Sequence, residues 1–239
     1  MKKARYKRVL LKISGAALTG DKQYGIDFAV TSGLAHQIKK VIDMGVELGI
    51  VVGGGNIWRG STAAEMGMER TTADYAGMLA TLLNALALQD TLEQVGVPTR
   101  VQSALHVESV CEPFIRRRAI RHLEKGRVVI FACGSGNPYV TTDTAAALRA
   151  FEIGAEVLLM AKHGIDGIYD ADPKKNPKAK RFNIISYDKA LKLHLRATDA
   201  TAMSLCMEQN LPILVFDIAA PQSIVHAVQG DIIGTIVKS

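Results

Sequence analysis

The fold is decided by the stretch Glu47-Leu48-Gly49-Ile50-Val51-Val52-Gly53-Gly54-Gly55-Asn56, in which an apolar run ends in three glycines. The apolar run is continuous, which is typical of a parallel strand covered on both faces of its sheet. Glycine lets backbone N–H groups surround an oxyanion, and the N-terminus of a following helix adds a favourable partial charge. The stretch therefore predicts a buried strand that carries a phosphate-binding loop at the carboxyl edge of a sheet.

A second loop of the same kind, Gly134-Ser135-Gly136-Asn137-Pro138, follows the apolar run Arg127–Ala132 and leads into Thr141-Thr142-Asp143. Neither loop has the Walker pattern G-x-x-x-x-G-K followed by Ser or Thr, or the dinucleotide pattern G-x-G-x-x-G. One glycine loop predicts a phosphate-binding protein. Two such loops predict that two phosphorylated ligands are brought together.

Strand-like runs alternate with helical stretches along almost the whole chain, which predicts an α/β fold: a three-layer α/β/α sandwich with a mostly parallel central sheet. The predicted strands are Arg8–Ile13, Glu47–Val52, Thr99–Ser103, Arg127–Ala132, Glu156–Ala161, Pro212–Phe216 and Gly234–Val237. The predicted helices are Thr31–Met44, Ala73–Val95, Pro113–Glu124, Thr144–Ile153, Tyr187–Leu195 and Ala200–Glu208. No linker interrupts the pattern, so we expect residues 1–239 to form a single domain.

The composition is that of an ordinary globular protein, with 48% apolar and 22% charged residues in a chain of 239. The formal net charge of +6 fits an anionic small ligand and is weak evidence for nucleic-acid binding. The run Arg116-Arg117-Arg118 is interpreted as a solvated helix face, because no aromatic residues are interleaved with it for base stacking. Neither a secretory signal nor a membrane-spanning run is apparent, and we expect a cytoplasmic protein.

The three cysteines, Cys111, Cys133 and Cys206, predict reduced thiols. Neither they nor the six histidines have the spacing of a metal site. Cys133 abuts the second glycine loop, and we expect it to be sensitive to alkylation.

The predicted helix around Ala76–Leu88 is apolar on nearly every face. Such a helix is either central in the core or packed against another subunit. We favour the subunit contact, because a helix that flanks a sheet normally keeps one wet face.

Three charged residues are candidates for the chemistry. Lys12 lies at a strand end beside Ser14-Gly15 and could hold ATP phosphates as a mobile point charge. Arg59 follows the first glycine loop and could stabilise the charge on a phosphoryl group in transfer. Asp143 could cap the helix that follows it, or it could orient the bound phosphates directly or through magnesium. The local sequence leaves both roles of Asp143 open.

Two acidic segments have a structural and a functional explanation. Asp74 lies near the start of the long helix, where an interaction with the helix dipole is favoured over a hydrogen bond to a ribose hydroxyl. The segment Asp166–Pro173 contains turn-forming Asp and Gly residues. It could equally form an adenosine site in which Tyr169 stacks and Asp172 hydrogen-bonds.

Taken together, these segments resemble the bacterial uridylate (UMP) kinases of the amino-acid kinase superfamily over essentially the whole chain. The matching segments are Lys12-Ile13-Ser14-Gly15, Val51-Val52-Gly53-Gly54-Gly55-Asn56, Arg59-Gly60, Ala73-Asp74-Tyr75-Ala76-Gly77-Met78-Leu79-Ala80-Thr81, Gly134–Asp143 and Asp166–Pro173. The segments around Asp74 and Asn137–Asp143 distinguish uridylate kinases from the carbamate, acetylglutamate and aspartate kinases of the same fold.

The resemblance implies transfer of the ATP γ-phosphoryl group to UMP with Mg²⁺, and it implies a site for each nucleotide. The implied ATP contacts are Lys12, Ile13, Ser14, Gly15, Gly55, Arg59, His163, Tyr169 and Asp172. The implied UMP contacts are Gly54, Asp74, Ser135, Gly136, Asn137, Pro138, Tyr139, Val140, Thr141 and Thr142. The implied catalytic, charge-stabilising group consists of Lys12, Arg59 and Asp143. The part of the chain before about residue 155 would hold mainly the UMP site and the oligomer interface, and the part after it mainly the ATP site.

The resemblance also implies a homohexamer built from dimers, with GTP as an activator and UTP as an inhibitor. The region linked to the GTP response matches Gly20, Asp21, Lys22, Gln23, Tyr24 and Gly25. The chain departs from the family pattern twice, with Ala16 where Glu is usual and His163 where Asn or Thr is common.

Two other functions remain open from the sequence. Another kinase of the same fold would phosphorylate an acid such as carbamate or acetylglutamate. A nucleotide-sensing regulator would bind UMP and UTP and act through a partner.

Overall fold

The computed structural model describes residues 2–173, 175–176, 178–193 and 198–239, and strands alternate with helices through these residues. The strands are β1 (Arg8–Ile13), β2 (Glu47–Val52), β3 (Thr99–Ser103), β4 (Glu112–Pro113), β5 (Val128–Ala132), β6 (Val157–Lys162), β7 (Ile184–Ser186), β8 (Ile213–Asp217) and β9 (Thr235–Lys238). The helices are α1 (Phe28–Asp43), α2 (Gly60–Glu65), α3 (Arg70–Gln94), α4 (Arg116–Glu124), α5 (Thr142–Ile153), α6 (Tyr187–Lys192), α7 (Ala200–Glu208) and α8 (Ser223–Gln229). A short 3₁₀ helix, Gly15–Leu18, follows β1.

The strands of the described residues form one nine-stranded sheet in the order β4-β3-β5-β2-β1-β6-β8-β9-β7. Neighbouring strands run parallel except for β8 and β9, which are antiparallel. The last part of the chain therefore continues the sheet rather than starting a new one. The parallel strands end at one edge, where ligands bind in open α/β sheets.

Helices cover both faces of the sheet, which confirms the predicted three-layer α/β/α sandwich. One face packs against α1, α3 and α8, and the other packs against α4, α5, α6 and α7. Successive residues of a strand point to opposite faces, so Leu10 lies in one core cluster while Val9 and Leu11 lie in the other. A strand that is buried on both sides needs a continuous apolar run, which is why this pattern identified the strands.

Helix boundaries follow from side-chain caps that the apolar pattern does not show. α1 begins at Phe28 because the Asp27 carboxylate accepts hydrogen bonds from the N–H groups of Ala29 and Val30. α3 begins at Arg70, three residues before the prediction, because Glu69 accepts from the N–H groups of Thr71 and Thr72.

Two predicted helices end or begin elsewhere. α4 starts at Arg116 because Glu112–Pro113 pairs with β3 as the edge strand β4. The predicted helix Tyr187–Leu195 is observed as α6, which ends at Lys192, and its residues 194 and 195 lie outside the described part of the chain.

Helix α3 is buried along one side, and its exposed side also carries apolar residues. Ala85 and Leu88 are fully buried, whereas Leu79 and Leu83 are 48% and 54% exposed and Tyr75 is 40% exposed. The three exposed residues are spaced four apart, so they form one stripe along the helix. In a single chain this apolar stripe is exposed to water.

The expectation that Cys133 is sensitive to alkylation is wrong. Cys133 is fully buried behind the second glycine loop, and burial raises the pKa of its thiol. The thiolate is the reactive form, so a buried thiol with a raised pKa reacts slowly.

None of the helices in the described residues is long and apolar enough to cross a bilayer. The longest of them, α3, carries charged residues at both ends.

Candidate functional site

The first glycine loop is built by close contact between two neighbouring strand ends. The N–H of Gly53, just after β2, donates to the carbonyl of Ile13 at the end of β1, at 2.9 Å. A Cβ atom on Gly15 would lie 2.5 Å from Asn56 Oδ1 and 2.8 Å from the Gly53 carbonyl oxygen. Gly15 is therefore required for the turn after β1 to rest against the loop after β2, and the two implied ATP segments are brought together.

A pair of buried amides fixes the same loop to α3. The side chains of Asn56 and Asn84 hydrogen-bond each other in both directions, at 2.9 and 2.7 Å, and Asn84 also donates to the carbonyl of Gly53. Asn56 in turn exchanges two hydrogen bonds with the backbone of Gly25. The last residue of the segment Gly20–Gly25, which the resemblance links to GTP, thus contacts the first glycine loop directly.

The second glycine loop leaves β5 with an unusual backbone. Cys133, Gly134 and Gly136 have φ angles of 60°, 57° and 80°, in the left-handed region. The N–H of Cys133 donates to Thr81 Oγ1 at 2.8 Å, and the N–H of Tyr139 donates to the Asp74 carboxylate at 2.9 Å. Both contacts reach α3, so this helix holds the two glycine loops on either side of one space.

That space is an open cleft of about 490 Å³ between the loops. Its lining includes most of the residues that the resemblance assigns to UMP. Those residues are Gly54, Asp74, Ser135, Asn137, Tyr139, Val140, Thr141 and Thr142. Gly55 and Arg59, assigned to ATP, line it as well. Gly136 and Pro138 belong to the same loop without lining the cleft.

Asp143 lies between two lysines at the carboxyl edge of the sheet. Lys12 Nζ at the end of β1 is 2.6 Å from Asp143 Oδ1, and Lys162 Nζ at the end of β6 is 2.8 Å from Oδ2. Thr198 Oγ1 donates a further hydrogen bond to the carboxylate. All three charged side chains are at most 15% exposed, so their interactions are only weakly screened by water.

The charges of this cluster depend on one another. Burial alone would raise the pKa of Asp143, but the charges of Lys12 and Lys162 hold it well below its usual range. Burial lowers the pKa of Lys12, and the charge of Lys162 lowers it further, while Asp143 offsets part of this effect. Two ammonium groups and one carboxylate leave a net positive charge, which suits phosphate groups.

The structure excludes one of the two roles that the sequence left open for Asp143, that of a helix N-cap. The N-cap of α5 is Thr141, whose side chain accepts from the N–H of Thr144. Asp143 instead lies in the first turn of α5 and binds the two lysines.

The local sequence favoured an interaction of Asp74 with the dipole at the N-terminus of α3, but Asp74 lies beyond the first turn of this helix. Glu69 caps that helix, whereas Asp74 accepts from Arg70 Nε at 2.9 Å and from the second glycine loop. Its carboxylate faces the cleft, with the side chain 16% exposed.

The remaining implied ATP residues lie on the segment after β6. His163 is exposed beside Lys162, and the Tyr169 hydroxyl donates to Asp166, which also pairs with Arg181. Asp172 is exposed on the same segment. The segment begins at the same sheet edge as Lys12, because β1 and β6 are neighbours in the sheet.

Sequence reasoning missed Lys162 and Arg70. Lys162 follows an apolar run at a strand end, the same signal that identified Lys12, and so it could have been predicted from the sequence. Arg70 gave no such signal. Its place in the cleft depends on the turn of α3 that Glu69 caps.

The sequence matches one protein-family model, and the fold is similar to those of solved structures. The family model described as Amino acid kinase family matches residues 7–217. The solved UMP kinase from Bacillus anthracis is 37% identical, with 98% of this chain and 96% of that chain covered and a TM-score of 0.94. The UMP kinase from Ureaplasma parvum is 42% identical, with both chains covered at 100% and a TM-score of 0.93.

We predict that Asp143→Asn lowers the free energy of unfolding by about 3 kcal/mol, because it leaves two buried ammonium groups side by side without a counterion. Urea unfolding at pH 7 measures this loss. Asp43→Asn is the matched control, since Asp43 pairs with Lys39 on the surface and its loss should cost about 0.5 kcal/mol or less. Equal stabilities of the two variants would contradict the prediction.

Proposed function

Since the chain belongs to the amino acid kinase family and is a phosphotransferase, we propose that it transfers the γ-phosphoryl group of ATP to UMP, giving ADP and UDP. The observation that carries this proposal is the placement of two glycine loops around one cleft, next to the buried cluster of Lys12, Asp143 and Lys162. In a bacterial cell this reaction would belong to pyrimidine nucleotide synthesis in the cytoplasm.

The cleft fits a nucleoside monophosphate better than a small acid. Its volume of about 490 Å³ lies in the range of pockets that enclose ligands of drug size, and carbamate is far smaller. In our proposal the Asp74 carboxylate accepts hydrogen bonds from the ribose, and residues 135–142 bind the rest of UMP. Lys12, Ile13, Ser14, Gly15, Gly55 and Arg59 bind the phosphates of ATP, with His163, Tyr169 and Asp172 at its adenosine end.

The transfer needs no general base. The second pKa of a phosphate monoester is about 6, so the phosphate of UMP is largely dianionic at neutral pH and can attack directly. One of its oxygens forms a bond to the γ-phosphorus while the bond from that phosphorus to the bridging oxygen of ADP breaks. Lys12, Lys162 and Arg59 stabilise the charge spread over the oxygens in transfer, and Asp143 holds the two lysines in place.

Magnesium would enter with ATP. The described residues contain no group of three or more His, Cys, Asp or Glu side chains arranged to hold a metal ion, and the Asp143 carboxylate is already bound on both oxygens. Mg²⁺ is commonly held through substrate phosphates with few protein ligands, so the phosphate oxygens of ATP would provide most of its ligands. Bound there, it would neutralise phosphate charge.

A substrate panel tests the proposal. The purified protein is assayed for ADP production from Mg-ATP with UMP, CMP, dUMP, carbamate and acetylglutamate, each with and without GTP. Turnover on UMP well above the other acceptors is the expected result, with GTP raising the rate and UTP lowering it. Turnover only on an acid would assign another kinase of this fold, and UMP binding without any turnover would favour a nucleotide-sensing regulator.

We predict that Arg59→Ala lowers kcat by more than tenfold, because one contact to the transferring group worth over ~1.4 kcal/mol is lost. Steady-state kinetics at saturating UMP and ATP measure the effect. The control is Arg117→Ala on the exposed face of α4, which should leave kcat within twofold of wild type. A folded Arg59→Ala enzyme with unchanged kcat would remove this residue from the mechanism.

We also propose that the apolar stripe of α3, formed by Tyr75, Leu79 and Leu83, packs against a second copy within a homohexamer. Leu83→Asp places a charge in that contact, and we expect light scattering to show a smaller assembly than wild type. Ile232→Asp is the control. Ile232 is 58% exposed and lies shortly before β9, which β1, β6 and β8 separate from the strands that α3 contacts. The same mass for all three proteins would refute the proposed contact.

A further inference from the structure

A buried arginine that has no place in the mechanism above lies behind the second glycine loop. Arg149 projects from α5 and is only 6% exposed. Its Nη2 donates to the carbonyl of Gly134 at 3.1 Å, and its Nη1 lies 2.5 Å from the Glu152 carboxylate. The guanidinium stacks over the ring of Phe114, with Cζ 3.8 Å from the ring centroid.

The arrangement is poorly suited to stability alone. In the described part of the chain, Arg149 Nε is one of two buried side-chain polar atoms that have no hydrogen-bond partner. An unsatisfied N–H on a buried cation is destabilising, and a well-packed apolar residue in the same place would often be no worse for folding. A role beyond packing is therefore indicated for the guanidinium.

The contact with Gly134 sets the direction of one peptide group. In a planar trans peptide the carbonyl and the next N–H point in opposite directions. Because the Gly134 carbonyl points at Arg149, the N–H of Ser135 points away from it, and Ser135 lines the cleft.

The peptide group needs such an anchor because its own backbone does not fix it. The Gly134–Ser135 peptide is oriented by ψ of Gly134 and φ of Ser135. Gly134 has a φ of 57°, and because glycine has no Cβ atom its ψ is less restricted than that of other residues. A charged donor at 3.1 Å removes this freedom at the position where the loop lines the cleft.

We propose that Arg149 is a positioning residue for the acceptor nucleotide: it holds the Gly134–Ser135 peptide with the Ser135 N–H directed into the cleft, ready to bind a nucleoside monophosphate. The inference rests on the proposed function, since it assigns the second loop to UMP. It requires that loss of the guanidinium weakens the binding of UMP and leaves the binding of ATP unaffected, because the contacts of Arg149 among the described residues are with Gly134, Glu152 and Phe114.

The test is Arg149→Met, which keeps the length and the apolar packing on Phe114 but removes the donors. We expect KM for UMP to rise at least fivefold, with KM for ATP within twofold of wild type. Arg149→Lys keeps one charged donor, and its KM for UMP should lie between those of wild type and Arg149→Met. Calorimetric titration with UMP should show the same order of dissociation constants.

Arg116→Met is the matched control. Arg116 also donates to a backbone carbonyl near the end of α5, that of Glu152, but it is exposed and does not touch the loop. Its KM for UMP should equal that of wild type.

The outcomes separate this inference from the proposed function. Wild-type protein with no turnover on UMP would refute the proposed function, and the titrations would still test Arg149 through UMP binding. An active wild type whose Arg149→Met variant keeps its KM for UMP, or loses affinity for UMP and ATP equally, would overturn the inference. If Arg149→Met does not fold, the comparison of Arg149→Lys with wild type decides by the same criteria.

Discussion

Two buried ammonium groups share one carboxylate at the carboxyl edge of the sheet, and the site is arranged around this electrostatic constraint. Lys12 is the penultimate residue of β1 and Lys162 is the last residue of the neighbouring strand β6, so the pairing of these strands fixes their separation. Without Asp143 their charges would repel each other in a poorly solvated place. With it, the cluster keeps a net positive charge whose position is set by the backbone.

Close backbone approach complements this charge. Gly15 and Gly54 each lie where a Cβ atom would be within 3 Å of neighbouring atoms, against the first glycine loop and against α3 respectively. The long helix α3 contacts both loops through Asn84, Thr81 and Asp74. The cleft is therefore a property of three elements packed together, and the two glycine loops are held apart by the helix between them.

Much of the fold could be predicted because buried parallel strands leave a direct mark in the sequence. β1 and β2 were predicted with their observed bounds as mainly apolar runs, and β3 was predicted with its observed bounds although Val101 is its one apolar residue. The short elements α2, β4 and β7 were missed, because a few residues at an edge or in a connection bury too little to leave a pattern. Helix α8 was missed although five of its seven residues are buried, because a run of seven is too short to show the period of a helix. Lys12, Arg59 and Asp143 were predicted as site residues from their places beside glycine turns. The buried position of Arg149 could not be predicted, because an arginine in a helix predicts a solvated side chain and only the tertiary packing buries it.

The reversal between β8 and β9 has a practical consequence for handling the protein. Since β9 runs antiparallel to β8, it ends at the opposite edge of the sheet from the cleft. A fluorescent domain or surface-attachment tag joined after Ser239 would emerge on the far side of the molecule. The protein could then be immobilised or imaged with the cleft open to solution.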